Sequence, residues 1–66
     1  MRTEINGESR DLPPGTTLVD LLAALSTSTR GSAAVVDGEV VPRAEWPTYE
    51  IRDGQVIELI TAVQGG

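Results

Sequence analysis

Apolar and polar positions alternate at the start of the chain: Met1, Thr3 and Ile5 fall on one side of an extended segment, Arg2 and Glu4 on the other. A period of two predicts a half-buried β-strand. Asn6-Gly7 comes next, and Asn-Gly tolerates the positive φ angles of a two-residue hairpin turn. The following "ESRDL" (residues 8–12) reads as a polar second strand with few apolar residues to fix its register. Pro13-Pro14-Gly15 breaks that strand, and the pattern then changes period. Leu18, Leu21, Leu22 and Leu25 recur at helical spacing and form one continuous stripe, which suits a helix packed on a sheet. Thr17 is placed to cap it, with Asp20 three residues on in a capping-box arrangement. "STSTRGS" (residues 26–32) ends the helix as a loop.

Beyond that loop, two short apolar runs flank Asp37-Gly38, a second hairpin signal. Pro42 stops the second run. Residues 43–51 are irregular, with one helical turn expected around residues 44–46, and Asp53-Gly54 marks another tight turn. "QVIELIT" (residues 55–61) is the most apolar segment and is therefore expected at the centre of the sheet. Ile57 and Leu59 share one of its faces; Val56, Glu58 and Ile60 share the other. A carboxylate belongs in water, so Ile57 and Leu59 are assigned to the core. The element order β-β-α-β-β-β predicts an α+β fold: a mixed sheet of four to five strands with one main helix on one face. A last strand pairing beside the first would make it a β-grasp, ubiquitin-like domain. Residues 1–66 read as a single domain, with residues 62–66 as a flexible C-terminal tail.

Composition narrows the chemistry. A 66-residue domain buries only about 60% of the surface its unfolded chain exposes, which leaves little room for a deep, water-excluded active site. The chain contains no cysteine and no histidine. It therefore offers no thiolate, no imidazole that titrates near neutral pH and no soft metal-ligand set. Its serines and threonines have no base near pH 7 to activate them. These absences argue against an enzyme, and no bound cofactor or metal is expected. The formal net charge is −5, and all five basic residues are arginines spread singly along the chain. Without a basic patch, nucleic acid is not an expected partner. No apolar run approaches the length of a membrane span, and residues 1–10 have no hydrophobic signal core. The expected location is the cytosol.

Several segments together resemble one family. The opening strand with "NGE" (residues 6–8), the "TLVDLL" helix, and "DGEVVPRAEW" (residues 37–46) with its V-P-R-x-x-W segment at Val41, Pro42, Arg43 and Trp46 are similar to the ThiS family of bacterial sulfur carriers. "RDGQVIELITAVQGG" (residues 52–66) resembles the C-terminal end of that family. The resemblance implies a carrier in thiamine biosynthesis. An E1-like adenylyltransferase uses ATP to adenylate the carboxylate of the terminal glycine, here Gly66. Sulfur, drawn from cysteine through a cysteine desulfurase, then replaces AMP to give a thiocarboxylate. Thiazole synthase takes that sulfur to build the thiazole phosphate of thiamine.

The residues suit that chemistry. An α-carboxyl titrates at about 3.3–3.7, so it is an anion and a poor electrophile at neutral pH until adenylation removes the charge and supplies a leaving group. Gly65 and Gly66 lack a Cβ, so the backbone can enter a narrow channel and nothing shields the reacting carbonyl. Ala62, Val63 and Gln64 would form an extended neck that pairs with partner backbone. Val56 and Ile60 are candidates for a docking surface on the sheet face away from the helix. The simpler readings stand beside these. Gly65-Gly66 can be a frayed end, and Val56 and Ile60 ordinary surface residues. Trp46 and Tyr49 are read as packing, and Arg43 as half of a surface ion pair. Other functions remain open: a carrier of the molybdopterin synthase small-subunit type, a ubiquitin-like modifier joined through Gly66 to other proteins, or an interaction domain with an idle tail.

Overall fold

Two tight turns set the strand pairing. Asn6 and Gly7 adopt φ angles of 51° and 84°, and Asp37 and Gly38 adopt 49° and 85°. Positive φ at both central residues is the hairpin geometry whose twist matches that of the flanking strands. The first turn joins β1 (Arg2–Ile5) to β2 (Glu8–Asp11), with Ile5 opposite Glu8 and Arg2 opposite Asp11. The second joins β3 (Ser32–Val36) to β4 (Glu39–Val41), with Val36 opposite Glu39. The structure, a computed structural model, describes residues 1–25 and 32–61.

The last strand, β5 (Val56–Thr61), lies between the two hairpins, as its apolar sequence led us to expect. It runs parallel to β1 and antiparallel to β3, giving a five-stranded mixed sheet in the order β2-β1-β5-β3-β4. The first and last strands therefore pair side by side, the β-grasp arrangement. One row of the core follows from this register: Ile5, Ile57 and Val36 stand next to one another across three strands, and all three are buried. A neighbouring row places Ala34 between Leu59 and Val41.

The helix α1 (Leu18–Ala24) covers this face with Leu18, Leu21 and Leu22, all buried, and with Leu25 packed at its end. Its capping box forms as the sequence suggests. The Asp20 N–H donates to Thr17 Oγ1, and the Thr17 N–H donates to the Asp20 carboxylate, each at 3.2 Å. The other N–H groups of the first turn find partners outside the helix. Leu18 N–H donates to the Tyr49 carbonyl at 3.0 Å and Val19 N–H to the Trp46 carbonyl at 3.3 Å, while the Ile51 N–H donates back to Thr16. Orphan donors at a helix start are costly when unsatisfied, so these bonds tie segment 46–51 to α1.

That segment follows a 3-10 turn at Arg43–Glu45, one residue before the position expected. The turn swings Trp46 under the sheet, where it is 2% exposed and its Nε1–H donates to the Val41 carbonyl at 2.9 Å. Val41, Pro42 and Trp46 thus form one local unit: Val41 accepts from the indole and the Pro42 carbonyl accepts from Glu45 N–H at 2.9 Å.

Side chains from the turns also fasten the central strands. Asn6 Oδ1 accepts from Leu59 N–H at 2.8 Å, Asp37 Oδ1 from Val56 N–H at 2.9 Å, and Asp53 Oδ1 from Arg2 N–H at 2.7 Å. Asn6→Ala is expected to lower the unfolding free energy by about 1–3 kcal/mol, because a β5 amide loses its acceptor and alanine strains the positive φ. Asn6→Gly keeps the backbone freedom and should cost less. Urea unfolding followed by Trp46 fluorescence measures both. Thr3 presents the opposite case. It is 2% exposed and its hydroxyl has no hydrogen-bond partner. Thr3→Val should therefore raise stability by about 1 kcal/mol in the same assay.

Candidate functional site

With α1 on one side, the opposite face of the sheet stays open. Residues directly opposite one another across paired strands point to the same side, so the register defines this face. Val56 stands beside Glu4, Glu58 beside Val35 and then Val40, and Ile60 beside Ala33. Val56 is 41% exposed, Ile60 52% and Val40 69%, and these are the exposed large apolar residues among those described. The two docking candidates from the sequence, Val56 and Ile60, are thus on one face and open to solvent.

Val40 belongs to the same surface and was not singled out from the sequence. In "EVV", either valine could be the inward one; the two-residue turn at Asp37-Gly38 decides it by pairing Val41 with buried Ala34 and Val40 with Val35. Glu58 lies between Val56 and Ile60 on the strand and is exposed. Among the described residues no arginine or terminal amine forms an ion pair with it.

The other residues singled out behave as structural parts. Trp46 is core. Tyr49 is half-buried, with its hydroxyl 3.5 Å from Gln55 Nε2. The Arg43 guanidinium lies 5.9 Å from the centre of the Trp46 ring, within the range of a cation–π contact. A shallow depression is lined by Thr48, Tyr49, Glu50, Arg52 and Gln55, and the Thr48 hydroxyl there is spent on the Glu45 carbonyl. Among the described residues no three Asp, Glu, Cys or His side chains gather where they could hold a metal ion, and no helix is long and apolar enough to cross a membrane. Ala62, Val63, Gln64, Gly65 and Gly66 lie outside the described residues; β5 leads into them.

The match to the ThiS family model spans residues 3–66. This chain belongs to the ThiS family. The sulfur carrier protein ThiS of Thermus thermophilus is 36% identical over 62 residues, which cover 94% of this chain and 95% of that one. The sulfur carrier protein ThiS of Escherichia coli is 29% identical over 66 residues and the match covers the whole of both chains. A thiazole synthase of Paramagnetospirillum magneticum contains a stretch 30% identical to all 66 residues, which is 20% of that protein's length. In three dimensions the ThiS crystal structure from Geobacter metallireducens covers the whole of both chains with a TM-score of 0.83 at 23% identity. At that identity the likeness speaks for the fold, and it agrees with the β-grasp topology above.

The open face can be altered without harming the core. Val56→Ser and Ile60→Ser should each change stability by less than about 1 kcal/mol, the usual scale for surface and strand-propensity effects. Ile57→Ser, on the same strand but fully buried, should cost more than about 3 kcal/mol. Urea midpoints of the three variants provide the comparison.

Proposed function

We propose that this chain is a sulfur carrier of thiamine biosynthesis that works through the carboxylate of Gly66. The observation that carries this reading is the end-to-end match to sulfur carrier proteins of T. thermophilus and E. coli. The match to the family model runs through the Gly65-Gly66 positions. An E1-like adenylyltransferase transfers AMP from ATP to the Gly66 carboxylate and releases pyrophosphate. The terminal sulfur of a cysteine desulfurase persulfide displaces AMP from the acyl-adenylate, a thiol reductant supplies the two electrons that cleave the resulting acyl disulfide, and the thiocarboxylate left on Gly66 gives its sulfur to thiazole synthase. ATP is bound by the activating partner, and the carrier itself is a recycled co-substrate of the cytosol rather than an enzyme. The thiazole synthase that contains a similar stretch supports that enzyme as the recipient, since the two units share one polypeptide there.

The fold suits the role. The neighbours β1 and β3 hold β5 on both sides, so the strand that ends at Thr61 is a firm anchor. Gly65 and Gly66 enter the partner's active site, Ala62, Val63 and Gln64 form an extended neck that pairs with partner backbone, and Val56 and Ile60 rest on its surface. Contacts made by the folded body offset the entropy of ordering the tail.

Incubation with ATP, the adenylyltransferase and a sulfur source should raise the intact mass by the difference between sulfur and oxygen. Deletion of Gly66 should abolish that gain while the circular dichroism spectrum and urea midpoint stay those of the parent. An unchanged mass for the full chain would refute the reading, and an unfolded deletion variant would assign Gly66 a structural part instead.

A further inference from the structure

We propose that the open sheet face docks onto a protein surface that is apolar around a single arginine or lysine, and that Glu58 is the carboxylate which meets this cation. The proposal deepens the carrier reading and rests on it for the identity of the partner.

Reach limits where such a partner can sit. Gly66 is the fifth residue beyond Thr61, and five extended residues span at most about 17 Å. An enzyme that takes up Gly66 must therefore lie against the end of β5. A contact of ordinary size covers about 800 Å² on each side, enough to include the whole outer surface of β5 and its neighbours. On the helix side the apolar residues are already used by the core. On the outer side, Val56, Ile60 and Val40 are exposed, with Val35 and Ala33 half-buried between them.

Charge then selects the occupant. Glu58 stands in the middle of this patch, flanked by Val56 and Ile60 along the strand and by Val35 across it. No arginine among the described residues pairs with it. A wholly apolar partner would bury this carboxylate unpaired, at a steep desolvation cost. A second copy of the chain is disfavoured for the same reason. Two-fold packing brings the same patch of each copy together, so two Glu58 carboxylates would meet in molecules that each carry a formal net charge of −5. A cation on the partner removes the penalty and fixes the register in which the tail is presented. Glu58 is thus a specificity-determining residue that never touches the reacting carbonyl.

The test compares Glu58→Gln, Glu58→Arg and Glu8→Gln with the parent chain. Glu8 is an exposed carboxylate on the outer strand β2, so its substitution changes net charge equally without touching the patch. Binding to the E1-like adenylyltransferase is measured by calorimetry, and pyrophosphate release is followed in parallel. Glu58→Gln should weaken binding and raise KM about tenfold or more, and Glu58→Arg further, with kcat little changed. Glu8→Gln should stay within about twofold of the parent. Equal effects of Glu8→Gln and Glu58→Gln would reduce the role of Glu58 to overall charge and overturn the proposal, as would parental binding by Glu58→Arg or no binding by the parent. Parental binding that depends on Glu58 but is followed by no pyrophosphate release would uphold the docking surface and sink the carboxylate chemistry instead. Matching thermal unfolding of all four proteins excludes a folding defect.

Discussion

The whole molecule depends on the pairing of β1 with β5. It joins residues more than fifty positions apart through only two in-register pairs, Glu4 with Val56 and Ile5 with Ile57. Parallel ladders are slightly less stable per residue than antiparallel ones, and a closure this long carries a large entropic cost before it gains any contact. The seam is strengthened by groups that the ladder does not count. Asn6 accepts from Leu59, Asp53 accepts from Arg2, and the Gly54 N–H donates to the Arg2 carbonyl. On the other flank of β5, Asp37 both accepts from and donates to the backbone of Val56. Residues that build the turns therefore also fasten the central strand to both neighbours.

The second organising contact is the start of the helix. α1 has only seven residues, too few to be stable alone. Its first amides are satisfied by carbonyls of Trp46 and Tyr49, and its leucines lie over the row Ile5, Ile57, Val36. Trp46 is held in turn by the Val41 carbonyl at the end of β4. Helix, irregular segment and sheet edge are thus mutually dependent, and the V-P-R-x-x-W segment is read here as architecture. One face of the sheet is consumed by this arrangement and the other stays open to solvent.

Much of this was legible along the chain because it rests on local rules. The leucine spacing located α1, Thr17 and Asp20 located its start, and Asn6-Gly7 and Asp37-Gly38 located the hairpins. The apolar run of residues 55–61 located the central strand. What could not be read was what depends on distant partners. Nothing in "NG" or "DG" says that the side chain of Asn6 or Asp37 will reach β5, since those bonds exist only once the sheet is assembled. Nor does the sequence say that the guanidinium of Arg43 will lie over the ring of Trp46, since that contact needs the 3-10 turn to form. Val40 was hidden by its apolar neighbour Val41 until the register separated them. Candidate docking residues on β5 were legible because Glu58 marks the wet face of that strand. The tail residues 62–66, by contrast, were picked out by residue chemistry and by resemblance, with no fold geometry behind them.

The central position of β5 has a mechanical consequence. An enzyme that draws the chain beyond Thr61 into a channel pulls along the axis of that strand. Because β5 has a neighbour on each side, such a load acts in shear on two sets of hydrogen bonds at once, with Asn6 and Asp37 as additional rivets. A strand at the sheet edge, pulled sideways, would instead peel away one bond at a time. A load along β5 would thus be shared by both of its neighbours while the body of the domain stays assembled.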